Sequence, residues 1–393
     1  MSGPVAKKVP IVAFHSIADE HDHLLRHLSL GVDVFERQLR HLKRAGFKTV
    51  TLHDVHAFLK GEKSLPSKSV VLTFDDGYLD NWVFAFPLLE KYEMKATIFV
   101  ATDFVDPEPR VRPNVRDVWE GHFARNQLNW WGHLSWPELE AMVSSGLVDV
   151  QSHTRTHTWY FVSDQVVDYH HPDDEYYWLF WNRFPERKHA WLSTDFRAPL
   201  PWGLPVYEFD QTLLRRRYHE DAGVADATTR FVATRGGESF FATAGWREEL
   251  HRVVEQYRAA NANAGRLESE QDYLTRIRDE LVGSKAILEK RLDKPVDFLC
   301  WPCGDYSPML QRLAIECGYL ATVNVEKTTN RLGDDPTELR RIVFGQDYQG
   351  PFKSDLVYWH FHGNVNYQSG VNLAFPIAPI ARRLMMVGNL LRR

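Results

Sequence analysis

Val70-Val71-Leu72-Thr73-Phe74 is an apolar run that stops on Asp75-Asp76-Gly77. A run this short and this continuous reads as a strand buried on both faces, the mark of a parallel sheet. Adjacent side chains on a strand point to opposite faces, so Asp75 and Asp76 reach one site only where the strand ends and the chain turns. Gly77 permits that turn, because glycine enters left-handed backbone at little steric cost.

The same pattern recurs on both sides of this stretch. Val9 to Phe14 runs apolar and stops at His15; Phe47 to Leu52, Ala96 to Ala101, Leu147 to Ser152, Val296 to Trp301 and Tyr319 to Val325 read as further strands. Helical segments separate most of them. Phe35, Leu39 and Leu42 share one helical face that Gly46 closes, and Phe86 to Tyr92 and Met309 to Cys317 are two more helices. Ser135-Trp136-Pro137-Glu138 starts another, with Ser as cap and Glu at the third helical position, and Gly146 ends it. Alternating strands and helices over this length imply an α/β fold, either a doubly wound sheet or a barrel. In both, the edge beyond the strand ends carries the chemistry. His15, Asp75, Asp76 and His153 all fall just after strands.

His153-Thr154-Arg155-Thr156-His157 supplies the second motif. Histidines four apart can face one ion, and a carboxylate from the Asp75-Asp76 pair completes three ligands with positions left open for water and substrate. The neighbouring carboxylate is then placed to act as a base. Thr154 and Thr156 can orient the ligands. Each motif alone is common: Asp-Asp-Gly also makes Asx turns, and 18 histidines give chance pairs. Their joint placement after strands is what points to a hydrolytic metal site.

The bulk numbers agree with a globular protein. The 393 residues are 44% hydrophobic and 25% charged, ample for a core. A net charge of -5 offers no basic field, so no nucleic-acid partner is expected. Thirteen tryptophans favour a carbohydrate ligand, since indole stacks on sugar rings. Cys300, Cys303 and Cys317 read as buried small hydrophobes, and an odd count suits a reducing compartment. No signal peptide and no stretch of about 18 apolar residues is visible, so a cytoplasmic location is expected.

Taken together, Thr73-Phe74-Asp75-Asp76-Gly77 and His153-Thr154-Arg155-Thr156-His157 resemble the NodB-homology polysaccharide deacetylases, carbohydrate esterase family four. The resemblance spans roughly residues 8–158 and 280–345. It implies a distorted (β/α) barrel with fewer than eight regular strands. It implies Asp75 as general base, and Asp76, His153 and His157 as ligands of one divalent ion, zinc first, with cobalt, nickel or iron also suited to two His and a carboxylate. Ser284-Lys285 followed by Cys300-Trp301-Pro302-Cys303-Gly304 is similar to the poly-N-acetylglucosamine deacetylase branch, where the acid histidine lies on the N-terminal strand. His15 matches that place, and its ring is expected across the open coordination positions from Asp75. The family's arginine beside the base is absent from the Trp301 motif; Arg155 or Arg197 is expected to substitute. Trp301, Pro302, Gly304 and Arg197 are the candidate substrate-binding residues, a backbone N–H after the Pro302–Gly304 turn serving the oxyanion.

The domain reading is then residues 1–158 and 270–350 as the two parts of the barrel, 159–269 as an aromatic-rich insertion over the site, and 351–393 as a C-terminal extension. Trp159, Trp191 and Trp202 of the insertion are expected to meet the sugar. In the extension, Arg382, Arg383, Arg392 and Arg393 lie among Leu384, Met385, Met386, Val387, Leu390 and Leu391, a pattern able to lie on an anionic membrane face or to pack as a helix with a basic end. The expected activity is N-deacetylation of an amino sugar in a glycan or lipid-linked glycan. The rivals are deacylation of another amide or an O-acetyl ester, and a glycan-binding module without catalysis.

Overall fold

The computed structural model describes residues 5–18, 27–326, 328–343, 353–370 and 377–390. The chain divides into two compact units, residues 1–155 with 282–393, and residues 156–281.

The first unit is built on parallel strands β1 (Ile11–Phe14), β2 (Ser69–Phe74), β3 (Ala96–Val100), β4 (Val148–Ser152), β5 (Phe298–Cys300), β6 (Ala321–Asn324), β7 (Glu338–Arg340) and β8 (Ile342–Val343). They lie side by side in the order β7-β6-β5-β4-β3-β2-β1-β8, every pair parallel. This order is strictly sequential, which a doubly wound sheet is not. The two ends of the path, β7 and β8, are separated by Arg341 alone. One short segment therefore pairs with β6 on one side and β1 on the other and closes the barrel. That is the distorted (β/α) barrel expected from the resemblance.

The period-two alternation of strands assigns the faces. Ile11, Val71, Phe99, Phe298, Cys300, Val323 and Leu339 come from six strands and converge in one buried cluster, joined by Leu52, Val55, Phe58 and Leu59 of a helix. Phe14 and Phe74 point the other way and pack on Phe35 of the helix Val32–Arg44. Continuing the first set by two-residue steps along β2 and β7 brings Asp75 and Arg341 to the side of Val71 and Leu339. Thus the pleat itself selects Asp75 for the interior.

One expected strand is shorter than its sequence suggests. Phe47 to Leu52 contains only the two-residue strand Lys48–Thr49, because Thr51 caps the helix Leu52–Leu59 in a reciprocal box with Asp54. Two helices, Lys353–Gln368 and Ile377–Leu390, follow the barrel. Pro379 sits in the first turn of the second, where a missing N–H costs nothing. Arg392 and Arg393 lie outside the described residues.

The second unit has its own architecture. An antiparallel pair, Trp159–Tyr169 with Pro205–Gln211, carries register shifts near Tyr207. Tyr169, Val224, Val232, Phe240, Trp246, Leu250 and Val254 form a separate buried cluster. Trp191 is 4% exposed and packs against Tyr177 and Trp181, while Trp202 stacks on His170. Much of the tryptophan excess in this segment is therefore spent on holding the unit together.

Candidate metal-dependent active site

Parallel register brings several strand ends to one edge. Phe14 pairs with Phe74, Val100 with Ser152, Ser152 with Leu299, and Cys300 with Val323. His15, Asp75 and His153 each follow one of these ends. The backbone ladder continues a little beyond the strands: Asp75 N–H donates to Phe14 O at 3.0 Å and His153 N–H to Val100 O at 2.9 Å.

Asp75 is 3% exposed and grips Arg341. The guanidinium donates to Oδ1 at 2.6 Å and to Oδ2 at 2.7 Å, and a further N–H reaches Thr73 Oγ1 at 3.2 Å. Burial pushes the Asp75 carboxyl up, but the Arg341 charge and hydrogen bonds outweigh it and hold the group below the usual carboxylate range. This corrects the expectation for the base's partner. Arg155 pairs with Asp103 at 3.3 Å, and Arg197 donates to the Asp174 carbonyl within the second unit. Arg341, which no sequence motif marks, holds that position instead.

The turn begins one residue earlier than the sequence suggests. Asp76 itself has φ 70° and Gly77 has φ 72°. Aspartate tolerates left-handed backbone better than most residues, yet such a position costs on the order of 1–3 kcal/mol unless its surroundings enforce it. Here they do: Leu134 N–H donates to Gly77 O and Leu79 N–H to Gly132 O, both at 2.9 Å. The turn swings Asp76 away from Asp75 and toward His153, whose Nε2 lies 3.3 Å from Asp76 Oδ1.

His153 is 2% exposed, and its Nδ1 meets the Cys300 carbonyl at 2.9 Å. A carbonyl only accepts, so Nδ1 carries the proton and Nε2 faces Asp76. A ring fixed in this way by a backbone carbonyl is what metal-ligating histidines commonly show. Burial would lower the His153 pKa, but the contact with Cys300 and the Asp76 and Asp75 carboxylates raise it well above its ordinary value, so the site favours a cation there.

His157 completes the set. One ligand atom each from Asp76, His153 and His157 lies within 4.8 Å of the other two. The irregular segment after the strand Val148–Ser152 carries both histidines. Thr154 and His157 adopt φ of 66° and 38°, and Thr156 anchors the loop through Glu280, its N–H and hydroxyl donating at 2.9 and 2.5 Å. A hydroxyl pair, Ser152 with Ser284 at 2.8 Å, secures the preceding strand. The residues thus suit a small divalent ion with open positions.

A second buried group, Asp75, His153 and Cys300, has donor atoms equally close. It is a poor cation site. Both Asp75 oxygens already face a guanidinium, and burial pushes the Cys300 thiol up, leaving it neutral. A third group, Asp117, Glu120 and His122, is mostly exposed, and Asp117 caps a helix through Asn114.

His15 lies at the same edge, but against Asp75 and not across from it: Nε2 is 3.7 Å from Asp75 Oδ2. Its side chain is 20% exposed, so it opens outward from the buried pair. The His15 segment is clamped by residues the motif reading did not reach. Asn81 Nδ2 donates to the His15 carbonyl at 2.8 Å and to Asp80 Oδ1 at 2.6 Å, and Ser16 Oγ donates to Asp80 Oδ2 at 2.5 Å.

The Trp301 turn divides its candidates. Trp301 is fully buried and stacks on Tyr306 at 6.0 Å, so no face of it is open to a ligand. Pro302 is buried too, and Gly304, at φ 79°, packs so tightly on Val325 that a Cβ would overlap it. The turn is built for close packing at the barrel edge.

Residues 62–177 match the family model described as polysaccharide deacetylase. YxkH of Bacillus subtilis is 39% identical over 93 residues, 24% of this chain and 32% of YxkH. The poly-beta-1,6-N-acetyl-D-glucosamine N-deacetylase of Escherichia coli K12 is 28% identical over 145 residues, 36% of this chain and 20% of that protein. The chain thus spans a third or less of these two relatives. Among solved structures, IcaB from Ammonifex degensii superposes with a TM-score of 0.50 at 18% identity, covering 91% of this chain and 99% of that one. A de-N-acetylase from Aggregatibacter actinomycetemcomitans gives 0.51 at 16% identity, covering 85% and 94%. These likenesses support the fold.

Proposed function

We propose that this chain, which carries the polysaccharide deacetylase segment, is a metal-dependent hydrolase that removes the N-acetyl group from an amino sugar in a glycan. The observation that carries the reading is the split fate of two adjacent aspartates. Asp75 is locked on a guanidinium and kept ionised, while Asp76 turns into a two-histidine ligand set.

An ion held by Asp76, His153 and His157 would supply Lewis acidity toward the acetamide carbonyl and the attacking water. Asp75 takes the water proton, and Arg341 keeps its carboxylate ionised and aimed. The new C–O bond forms as the carbonyl becomes tetrahedral. His15 in its protonated form then gives a proton to the amide nitrogen as the C–N bond breaks, because an unprotonated amine is a poor leaving group. Acetate and a free amino sugar result. Zinc is the first choice of ion, with cobalt, nickel and iron as the alternatives for this donor set.

The helix Ile377–Leu390 adds a membrane contact to this reading. Ala378, Ala381 and Met385 are its buried side, and Gly363 of the preceding helix allows close approach at Ala378. Ile380, Leu384 and Met386 are each more than half exposed, with Arg382 and Arg383 between them and no acidic residue in the helix. Apolar side chains interleaved with arginine suit the interface of an anionic bilayer. No helix among the described residues is long and apolar enough to cross a membrane. A cytoplasmic enzyme resting on the inner membrane face would meet lipid-linked sugars there.

The deciding experiment is acetate release, with metal content measured on the same sample, across UDP-linked, lipid-linked and polymeric N-acetylated sugars. Acetate from one class and one divalent ion per chain support the reading. Release from O-acetyl esters alone, or sugar binding with no turnover in the metal-loaded protein, defeats it. Sedimentation with phosphatidylglycerol vesicles, lost in Ile380→Asp/Leu384→Asp, tests the helix separately.

A further inference from the structure

The second unit contains a cavity of about 470 Å³ that the chemistry above does not use. Protein pockets of roughly 300–1,000 Å³ are the size that encloses small ligands, so this one has room for a short saccharide. Its lining is of two kinds. Tyr160 and Phe161, both partly exposed, give it an aromatic face, backed by the nearly buried Trp178 and Tyr207. Arg183, Glu220 and Asp226 also line it; they are exposed, and their side chains make no ion pair or hydrogen bond with any described residue.

Two features argue that the space is kept open. Ala222, Ala225 and Thr229 of the helix Ala222–Ala233 line it at three- and four-residue spacing, which puts small side chains on one helix face along the cavity. Leucine at any of them would fill part of the volume with no loss of helix propensity. The Tyr207 hydroxyl is also buried without a hydrogen-bond partner. A buried hydroxyl left in that state costs about 1–3 kcal/mol, a cost that a ligand hydroxyl or amide removes.

The lining also restricts the ligand. Two guanidinium groups, Arg183 and Arg217, balance two carboxylates, Glu220 and Asp226, so neither a phosphate nor a polycation is favoured. A plain acyl chain leaves the mouth's donors and acceptors unused. A neutral ring with one apolar C–H face, several hydroxyls and an acetamido methyl satisfies both kinds of surface.

We propose that this cavity is a binding site for an N-acetylhexosamine unit of a glycan, held by the second unit itself and separate in its residues from the metal-ligand set. Its place in deacetylation rests on the function proposed above; its binding chemistry does not.

The test uses the full chain, stripped of metal by chelation so that the probe is not hydrolysed, and an N-acetylglucosamine tetrasaccharide titrated by calorimetry. Ala225→Leu, which narrows the cavity without removing an interaction, should weaken binding at least ten-fold, and Tyr207→Phe should weaken it too. Asp76→Ala should leave the affinity within two-fold. The proposal is overturned if the wild type binds no tetrasaccharide, or if Ala225→Leu and Ala222→Leu both bind as the wild type does. It is equally overturned if Asp76→Ala abolishes binding while Ala225→Leu keeps it, since the sugar then sits at the barrel edge. Acetate release by the metal-loaded wild type reads the deacetylase assignment on its own, whichever way the titration falls.

Discussion

Arg341 and Asp75, 266 residues apart in the chain, meet in a buried two-point ion pair at 2.6 and 2.7 Å. Asp75 directly follows the second strand of the barrel, and Arg341 is the one residue between the two short strands that close it. Closing the barrel and orienting the proposed base are therefore one event. Removing one partner of a buried pair strands the other charge, at a cost of about 3–5 kcal/mol. Arg341→Met should lower thermal stability by such an amount and lose acetate release with it. Arg341→Lys keeps the charge but not the fork, so it should recover stability more than turnover. Equal recovery of both would show that orientation of Asp75 does not matter.

The two aspartates should separate in a metal assay. Asp75→Asn keeps a hydrogen-bonding side chain and leaves Asp76, His153 and His157 in place, so metal content should stay near one per chain while turnover falls by about 10²-fold or more. His157→Ala should lose metal and activity together. Full occupancy in His157→Ala would remove that histidine from the ligand set.

If His15 protonates the leaving amine, its loss should depend on the leaving group. His15→Gln should cut hydrolysis of an acetamide by about 10²–10⁴-fold. It should cost far less on an aryl acetate, whose phenolate leaves without a proton. A uniform loss on both substrates would make His15 a positioning residue acting through Asp75, 3.7 Å away.

The limits of sequence reading follow from the same geometry. Strands buried on both faces are nearly uniform apolar runs, so Ser69–Phe74 and Ala96–Val100 stand out, and the His153–His157 spacing is local. Arg341 was hidden because its flanking strands are three and two residues long, too short for any periodicity. The available signal was weak: a basic residue directly before Ile342-Val343, in a segment that ends up inside the barrel. Tryptophan counts misled in another way. Trp301 and Trp191 pack in cores, and only burial distinguishes such a ring from one open to a sugar. Asp80 and Asn81 carry no motif signal, because the Asp-Asp-Gly pattern ends at Gly77 and the clamp on His15 lies three and four residues further on.

That clamp carries a pH dependence of its own. Asp80 is 4% exposed, and burial pushes its carboxyl up to about 6 despite the Ser16 hydroxyl, the Ile17 N–H and the Asn81 amide that favour the ionised form. A carboxyl raised on folding binds its proton more tightly in the folded state than in the unfolded chain. Its contribution is therefore fully present below the ordinary carboxylate value of about 4 and is lost as pH rises through about 6. Asp80→Asn has no proton to lose there. The melting temperature of the wild type, measured relative to Asp80→Asn, should fall between pH 4 and pH 7 and level off above. A difference that stays flat across that window would mean that Asp80 enters the fold ionised, with the Ser16 and Asn81 hydrogen bonds alone meeting the cost of burying its charge.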